Sequence, residues 1–380
     1  MLQVASYLLV IAVTVMATLI LYTSVPNKSQ NKLTQLEELI LNRFIDEKDQ
    51  AAIEDAAAAA MIGSLGDRWS YYIPASQYAS VQAQKTNSYV GVGITIAQRE
   101  DGIGLDILKV AKGGSAEEAG ILPGDILIAV EGLSIAGMPN ADASELVSGE
   151  EGTLVSLTVL RDGEELPFTV ERRKIQTVVA SGRMLENGVG LVTITNFNDR
   201  CCEETVAAIE ELLAQDARAL IFDVRGNPGG YKHELVKLLD YLLPEGPLFR
   251  SVDYTGKESV DTSDKNCLEL PMAVLVNGGS YSAAEFFAAA LEEYDWAIVV
   301  GEQTSGKGHY QNTFELNDGS AVGLSVGRYC TPNGVDLEGV GITPEIYIEV
   351  DSETAAKISA GILEPEADPQ IQAALAALAA

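Results

Sequence analysis

Histidine, cysteine and basic side chains are all scarce in this sequence. Its 380 residues include two His and four Cys, and 25 Lys and Arg stand against 55 Asp and Glu, which gives a formal net charge of −30. Proteins that bind nucleic acids hold the phosphates with basic patches, so this charge balance argues against a nucleic-acid partner. The cysteines show no ligand spacing such as Cys-x-x-Cys, so we expect no metal site.

Charged side chains are also absent from residues 1–27. Residues 3–22 form a nearly unbroken apolar run that is long enough to span a bilayer. Because no Lys or Arg precedes this run and no small-x-small cleavage site follows it, we predict an uncleaved single-pass membrane anchor, with a cleaved signal peptide as the alternative. Either alternative places the rest of the chain outside the cytoplasmic membrane, tethered in the first case and secreted or periplasmic in the second.

A helical segment is predicted at residues 28–87. Leu33, Leu36 and Ile40 recur at helical spacing and would lie on one face of a helix. Residues 51–61 are rich in alanine, which has the highest helix propensity, and they predict a second helix.

The pattern changes to short strands from residue 88 onward. Residues 88–174 contain several strand patterns separated by turn signals, including Asp162-Gly163, and predict a compact, mostly β module. Residues 175–350 alternate buried-strand and helix patterns, which is typical of an α/β layer. Residues 351–380 end in a short apolar helix, whose simplest role is to pack on the core.

One stretch of the α/β region places a serine between a strand and a helix. Apolar residues 272–276 predict a buried strand, Asn-Gly-Gly follows, and residues 283–293 have a helix-forming pattern. Ser282 therefore lies at a turn where free helix amides face any developing negative charge. Such a turn suits a nucleophile, although a serine beside a glycine turn more often has a structural role.

A serine hydroxyl becomes a good nucleophile only when a base removes its proton. For the usual imidazole role the chain offers only His233 and His309, and Lys307, between two glycines, is the other option. A lysine base must be neutral at working pH. Its pKa must then fall from about 10.4 by roughly 3 units, which corresponds to ~4 kcal/mol and requires a dry site.

Two motifs in this stretch resemble the active-site signature of the carboxyl-terminal processing peptidases, also called tail-specific proteases. They are S-x-S-A-x-E at residues 280–285 and G-E-x-T-x-G-K-G-x-x-Q at residues 301–311. The resemblance implies that Ser282 attacks the substrate, that Lys307 is the general base and that Gln311 orients the lysine. It implies no metal, nucleotide or organic cofactor.

A third motif, D-V-R-G-N-P-G-G at residues 223–230, is similar to the family's D-x-R-x-N-P-G-G sequence. In that family the glycine amides and the amide after the serine form the oxyanion hole. The resemblance therefore implies an oxyanion hole made by Gly229 or Gly230 together with Ala283. From the residues alone, Asp223 and Arg225 are interpreted as a structural ion pair or as the solvated end of a strand.

Residues 89–94 and 119–127, Y-V-G-V-G-I and A-G-I-L-P-G-D-I-L, resemble the carboxylate-binding loop and a characteristic turn of PDZ domains. In such a domain the loop amides hold a terminal carboxylate while the peptide adds to the sheet as a strand. The resemblance implies that Val90, Gly91, Val92 and Gly93 bind the free C-terminus of a protein. For the two glycines alone, the simpler explanation is a tight strand start.

The chain departs from the family at several positions near the predicted site. Residues 64–72, S-L-G-D-R-W-S-Y-Y, resemble the family's S-L-x-D-P-Y-S-x-Y segment, with Arg68-Trp69 substituted. Tyr281 and Ala284 stand where an alanine and a serine are common, and Ser305 stands where an aromatic residue is usual. None of these changes removes a catalytic atom, so we expect them to affect the fit of the substrate.

The sequence therefore predicts an α/β, α+β multidomain protein: a crotonase/ClpP-like peptidase core with an inserted PDZ domain and an N-terminal helical segment. The expected function is that of a serine endopeptidase that cleaves exported proteins with free apolar C-termini, and the chain is a candidate homo-oligomer. One alternative is a catalytically silent PDZ scaffold that binds such tails. Another is a signalling protease with one dedicated substrate.

Overall fold

The computed structural model describes residues 14, 16, 31–99 and 101–379. Apart from Thr14 and Met16, the membrane segment predicted at residues 1–27 lies outside these residues. Within the described part, none of the helices combines the length and apolarity needed to cross a bilayer. The chain divides into two compact units, Met1–Gly66 and Asp67–Ala380.

The first unit contains two helices, α1 (Lys32–Arg43) and α2 (Gln50–Gly63). Their N-caps are Asn31 and Asp49, and each side chain accepts a hydrogen bond from a free main-chain amide of the first helical turn. The helical pattern of residues 33–40 and the alanine-rich stretch of residues 51–61 therefore form the two helices that were predicted from them.

The second unit contains all the strands of the described chain. In chain order these are β1 Tyr71–Ile73, β2 Ser88–Gly91, β3 Ile94–Gln98, β4 Leu105–Val110, β5 Ile126–Val130, β6 Leu133–Ser134, β7 Leu154–Arg161, β8 Glu164–Glu171, β9 Arg173–Gln176, β10 Ala180–Met184, β11 Val189–Ile194, β12 Ala219–Asp223, β13 Pro247–Asp253, β14 Glu258–Thr262, β15 Met272–Val276, β16 Ala297–Gly301, β17 His309–Glu315, β18 Ala321–Cys330 and β19 Ile346–Tyr347. Its α-helices are α3 Ala75–Lys85, α4 Ser115–Ala119, α5 Asn140–Val147, α6 Cys201–Leu213, α7 Lys232–Leu242, α8 Ala283–Glu293, α9 Ser352–Ser359 and α10 Pro369–Leu378.

A six-stranded sheet of order β10-β11-β12-β15-β16-β19 forms the centre of this unit. Every pairing is parallel except that of β10 with β11. Side chains alternate between the two faces: Leu220 and Phe222 face α6, α7 and α8, whereas Ile221 faces α10. Both faces are covered, which explains why β15 is buried at every residue and why the strands are continuous apolar runs. The predicted α/β architecture is confirmed.

A second sheet lies beside this core and has the order β1-β18-β13-β14, with β17 paired to β18. The pairing of β1 with β18 brings Tyr71–Ile73 next to residues 321–323. Residues 67–73, in the segment predicted to be helical, thus include a strand of this second sheet. The β17–β18 hairpin carries Gln311.

Residues 88–174 form a separate β module with its own apolar core. Its sheet has the order β3-β4-β5-β7-β8, with β6 on β5, and the helices α4 and α5 belong to the same module. The chain enters through β2 and leaves through β9, and these two strands pair antiparallel. In the described chain β3 pairs with no strand other than β4, and along its unpaired edge the Asn140 side chain, at the start of α5, donates to the Ile96 carbonyl at 3.1 Å.

A buried ion pair in the β module joins Asp125, just before β5, to Arg161, the last residue of β7. Asp125 is 2% exposed and contacts Arg161 through two hydrogen bonds of 2.6 Å. Arg161 also donates to the Gly120 carbonyl. Burial raises the pKa of Asp125, but the bonds from Arg161 and from the Leu122 amide outweigh it, so the pKa lies below its ordinary value.

We therefore expect Arg161→Ala to lower the free energy of unfolding by about 2–4 kcal/mol, because the carboxylate stays buried without its partner. A depressed folded-state pKa contributes stability that is complete above the unfolded-state pKa of about 3.9 and is lost as the pH falls through the folded-state value. Urea unfolding at pH 7 would measure the difference in unfolding free energy between wild type and Arg161→Ala, and the same experiment at decreasing pH would measure how this difference is lost. A difference between wild type and variant that stays constant below pH 4 would contradict this account.

The C-terminal helix α10 packs on the central sheet through Ile371 and Ala374. At its N-terminus Asp368 pairs with Arg225 at 2.8 Å, and Arg225 also pairs with Asp223 at 2.6 Å. The structure thus shows the ion pair expected for Asp223 and Arg225, and it adds Asp368 to it. All four cysteines, which lie in the described part of the chain, are free.

Candidate active site

Ser282 lies where β15 ends and α8 begins, as predicted. Its backbone has φ 57° and ψ −125°, a left-handed conformation that costs a non-glycine residue about 1–3 kcal/mol. Ser282 is 8% exposed, and the amides of Ala284 and Glu285 in the first turn of α8 donate to the Tyr281 and Ser282 carbonyls. A serine held in a strained turn at a helix N-terminus is typical of a nucleophile.

Hydrogen bonds join the turn that carries Ser282 to the loop at residues 224–230. Three of them connect Asn277 Oδ1 with the Gly226 amide (2.8 Å), Ser280 Oγ with the Val224 carbonyl (2.7 Å), and the Tyr281 amide with the Asn227 carbonyl (3.1 Å). The two motifs recognised in the sequence, 51 to 56 residues apart at these contacts, are therefore one structural unit.

Gly229 brings the main chain of this loop against Ser282, and Gly230 brings it against the main chain of Phe197. Gly229 has φ 84°, and a Cβ atom there would lie 2.8 Å from Ser282 Cβ, so no other residue allows this approach. The Gly229 amide donates to Asn227 Oδ1 at 2.8 Å. In the described chain the amides of Gly230 and Ala283 donate no hydrogen bond. Of the two glycines, Gly230 is thus the one whose amide is free to act with Ala283.

Glu285 connects the serine turn to the lysine loop. Its side chain is fully buried and accepts four hydrogen bonds. Oε2 accepts from the amides of Ser282 (2.9 Å) and Lys307 (2.8 Å). Oε1 accepts from the Thr304 hydroxyl (2.5 Å) and the Gly306 amide (2.8 Å). One carboxylate oxygen therefore binds the main-chain nitrogens of both predicted catalytic residues.

The Lys307 side chain is partly buried beneath two aromatic rings. Its Nζ lies 4.9 Å from the ring centroid of Trp69 and 5.7 Å from that of Tyr281. Burial lowers the pKa of the Lys307 ammonium below its ordinary value, and the nearby carboxylates of Glu338 and Asp67 oppose the shift without cancelling it. A lowered pKa is the property that a lysine general base needs.

Gln311 lies on β17, close in sequence to Lys307 but bonded elsewhere. Its Nε2 donates to the His309 carbonyl and to Ser325 Oγ, both at 3.0 Å. Among the residues that the structure describes, no hydrogen bond joins the side chains of Ser282, Lys307 and Gln311 to one another. The structure therefore brings the three residues into one region without the contacts that proton transfer requires.

The two histidines do not replace the lysine. His233 is 56% exposed and stacks on Tyr231, and His309 is 40% exposed and faces Glu338 at 3.6 Å. Neither side chain is hydrogen-bonded to Ser282 within the described chain. Of the three candidate bases, Lys307 is the one whose loop shares a hydrogen-bond partner with the serine.

The four residues predicted to bind peptide divide into two pairs. Val90 and Gly91 belong to β2 and pair with β9. Val92 and Gly93 follow in a loop that leads into β3, where Gly93 has φ 87°, and in the described chain their amides donate no hydrogen bond. An extended peptide could add beside β3 after these two amides, at an edge where the Asn140 side chain now binds the Ile96 carbonyl.

From the sequence alone, no role in the site was assigned to Glu285, Trp69 or Glu338. Glu285 lies within the serine motif and would have been recognised only as part of it. Trp69 donates through Nε1 to Glu338 Oε1 at 2.8 Å, across 269 residues of chain. The substituted Arg68-Trp69 pair was a visible signal, but nothing local connects it to Lys307.

Comparison with known proteins gives matches to two family models. The model for peptidase family S41 matches residues 188–348, and a PDZ-domain model matches residues 107–161. These ranges contain the site around Ser282 and most of the β module, respectively.

Individual relatives extend this likeness over most of the chain. The carboxy-terminal processing protease CtpA of Bacillus subtilis is 33% identical over 323 residues, which cover 84% of this chain and 69% of that protein. The carboxyl-terminal-processing protease of Synechocystis is 32% identical over 336 residues, covering 87% and 76%. An S41 protease structure from Bacteroides fragilis aligns over 89% of this chain and 100% of that chain with a TM-score of 0.54 and 16% identity, a likeness of fold.

Proposed function

Since the chain belongs to peptidase family S41 and is a serine peptidase of the carboxyl-terminal processing kind with a PDZ domain, we propose that Ser282, Lys307 and Gln311 are its catalytic residues. The observation that supports this most strongly is the shared oxygen of Glu285, which accepts from the amides of Ser282 and Lys307 at 2.9 and 2.8 Å. Two nitrogens bonded to one oxygen lie within about 6 Å of each other.

The proposed reaction is acyl transfer to Ser282 followed by hydrolysis. Neutral Lys307 takes the hydroxyl proton while Ser282 Oγ attacks the peptide carbonyl, and the amides of Gly230 and Ala283 stabilise the oxyanion. The Lys307 ammonium then protonates the departing amine. Neutral Lys307 then takes a proton from a water molecule, whose oxygen attacks the ester carbonyl. As the bond between the acyl group and Ser282 Oγ breaks, the Lys307 ammonium protonates Oγ and the acid product leaves.

Substrate binding must also complete the alignment of these groups. In the structure Lys307 Nζ lies over aromatic rings, and the Gln311 amide is bonded to His309 and Ser325. We infer that the lysine moves towards Ser282 when a peptide occupies the site, and that Gln311 then orients it. Catalytic contacts commonly tighten only in the complex with substrate.

We propose that the PDZ domain selects proteins with a free, apolar C-terminus. The Val92 and Gly93 amides would hold the terminal carboxylate, and the peptide would add to the unpaired edge of β3, where it would replace the Asn140 side chain at the Ile96 carbonyl. Charge supports a tail without acidic side chains, because a protein of net charge −30 repels them.

The test uses the full-length chain in mild detergent and an unfolded substrate that ends in Val-Ala-Ala, with either a free or an amidated C-terminus. We expect cleavage of the free-tailed substrate, roughly 10-fold or more slower cleavage of the amidated one, and no cleavage by Ser282→Ala. Equal cleavage of both tails would overturn the role of the PDZ domain while keeping the peptidase. Tight binding of tails without cleavage by wild type would favour a silent scaffold, and cleavage confined to one natural substrate would favour a dedicated signalling protease.

We also propose that the catalytic part lies outside the cytoplasmic membrane and is tethered by residues 1–27. The support is the charge-free apolar run at residues 3–22. Digestion of intact cells or spheroplasts by an added protease should remove the catalytic part, whereas a strictly cytoplasmic protein would be protected. Recovery of the full-length chain in the membrane fraction distinguishes an anchor from a cleaved signal peptide.

A further inference from the structure

The two rings above Lys307 form one aromatic surface, which we call the aromatic clamp (Trp69 and Tyr281). Their centroids are 6.0 Å apart and their planes differ by 27°. The Lys307 Nζ lies within cation–π distance of both centroids, at 4.9 and 5.7 Å. An aromatic face attracts an ammonium but not a neutral amine to the same extent, so the clamp distinguishes the two protonation states of the lysine.

Hydrogen bonds hold the Trp69 ring in this position. Its Nε1 donates to Glu338 Oε1 at 2.8 Å, and its amide donates to Asp67 Oδ1 at 3.1 Å. Glu338 Oε2 accepts from the amides of Gly308 (2.7 Å) and His309, the residues that follow the lysine. The same carboxylate therefore fixes the ring and the loop beneath it, and the contact is built into the site.

Arg68 places a second cation on the same ring. Its guanidinium carbon lies 4.1 Å from the Trp69 centroid, closer than the ammonium of Lys307. It competes for the ring and repels the lysine charge, which lowers the pKa of Lys307. The charged or titratable groups around the lysine are thus Asp67, Arg68, Glu285, Glu338 and His309.

We propose that Trp69 is a positioning residue for Lys307: together with Tyr281 it holds the protonated lysine away from Ser282, and Arg68 weakens this hold. The inference rests on the proposed role of Lys307 as the general base. Because proton removal from Ser282 needs the neutral amine, each turnover begins when the lysine leaves the clamp. The Arg68-Trp69 pair, which replaces the family's Pro-Tyr, thereby sets the pH range in which the enzyme works.

The direction in which each variant shifts the pKa of Lys307 depends on whether the substitution favours the ammonium or the neutral amine. Trp69→Leu keeps an apolar cover but removes the ring that favours the ammonium, so the pKa of Lys307 should fall. Trp69→Phe keeps a smaller aromatic face over the lysine and loses the hydrogen bond to Glu338, so the pKa of Lys307 should change much less than in Trp69→Leu. Arg68→Gln removes repulsion and competition, so the pKa should rise.

Two measurements test the proposal on the full-length chain. The first is the pH dependence of kcat/KM on the free-tailed substrate, whose acidic limb reports the pKa of the base in the free enzyme. The second, independent of activity, is the pH midpoint of Lys307 acetylation by acetic anhydride, followed by peptide mass spectrometry in a Ser282→Ala background. A wild type without peptidase activity would refute the proposed function, and the acetylation midpoints would still decide the role of Trp69.

We expect both midpoints to fall by about 0.5–1 pH unit in Trp69→Leu, to stay within about 0.2 unit in Trp69→Phe, and to rise by about 0.5 unit in Arg68→Gln. At a pH one unit below the wild-type midpoint, Trp69→Leu should then reach a fraction of its plateau rate about 2.6- to 5.5-fold larger than the wild-type fraction. Equal midpoints in the leucine and phenylalanine variants would overturn the proposal, as would a rise in the leucine variant. If Trp69→Leu fails to fold by circular dichroism, Tyr281→Leu and Tyr281→Phe provide the same comparison from the other ring.

Discussion

Replacing Lys307 with methionine is expected to lower kcat/KM by about 10⁴-fold or more, with little change in stability. Methionine fills a similar volume beneath Trp69 and Tyr281 but cannot accept a proton. Without a base the Ser282 hydroxyl stays protonated, and the oxyanion amides alone supply the remaining catalysis. The measurement is kcat/KM on the free-tailed substrate, beside a thermal unfolding curve for the same preparation.

Lys307→Arg is the matched control for charge. Arginine keeps a cation against the rings of Trp69 and Tyr281, but its pKa lies far above that of lysine, so it stays protonated and cannot act as a base near neutral pH. We therefore expect it to be as inactive as the methionine variant. If arginine restored more than about a tenth of the wild-type rate, the lysine would act as a fixed charge and the general-base mechanism would be wrong.

Wild-type activity should also depend on pH in a defined direction. Burial holds the pKa of Lys307 below its ordinary value, so the neutral fraction, and with it kcat/KM, rises as the pH approaches that lowered value from below. The acidic limb should be absent from the residual activity of Lys307→Met, because the group responsible is no longer present.

The second large effect is expected at Glu285. Glu285→Gln should lower the free energy of unfolding by about 3–5 kcal/mol and kcat/KM by about 10²- to 10³-fold. All four partners of the carboxylate are donors, so the amide nitrogen of glutamine would face donor groups on one side. The turn of Ser282 and the loop of Lys307 would then separate, and the loss of activity would persist at temperatures where the variant is folded.

Glu285→Asp and Glu353→Gln bracket this effect. Aspartate keeps the charge but is one methylene shorter, so it should retain part of the stability. Glu353 is 80% exposed and pairs only with Lys357 across one helical turn, so its change should be nearly neutral. Urea unfolding measures the free energy of unfolding of each variant. Activity is measured as kcat/KM at a temperature about 20 °C below the midpoint of thermal unfolding of that variant. A Glu285→Gln enzyme of normal stability and activity would show that the carboxylate does not join the two catalytic loops.

The central fold could be predicted because its signals are local. Buried parallel strands such as Met272–Val276 are short apolar runs, and the pattern from 283 to 293 predicts the helix that follows them. The position of Ser282 in the turn between them follows directly. Strand pairing across long distances, such as Tyr71–Ile73 with residues 321–323, has no local signal and was not predicted.

The surroundings of the lysine could not be predicted for the same reason. The sequence indicated that Lys307 must lie in a dry place, and the structure supplies that place with Trp69, whose ring is fixed by Glu338. These residues are held together by contacts between positions more than 200 residues apart in the sequence. The effect of the Arg68-Trp69 substitution on the lysine can be recognised only from those contacts. The proposed nucleophile was thus found from a motif, whereas its alignment with the proposed base depends on tertiary packing.

The backbone of Ser282, with φ 57° and ψ −125°, also restricts which nucleophiles this fold can use. Threonine carries the same hydroxyl, but its branched Cβ is poorly tolerated at positive φ, and Gly229 leaves no room beside it. Cysteine and glycine are compatible with the turn. Cysteine would supply a thiol nucleophile, whereas glycine would supply no nucleophile. The residue types that can serve as nucleophile at position 282 during evolution are therefore restricted first by the backbone conformation there and only then by the reactivity of their side chains.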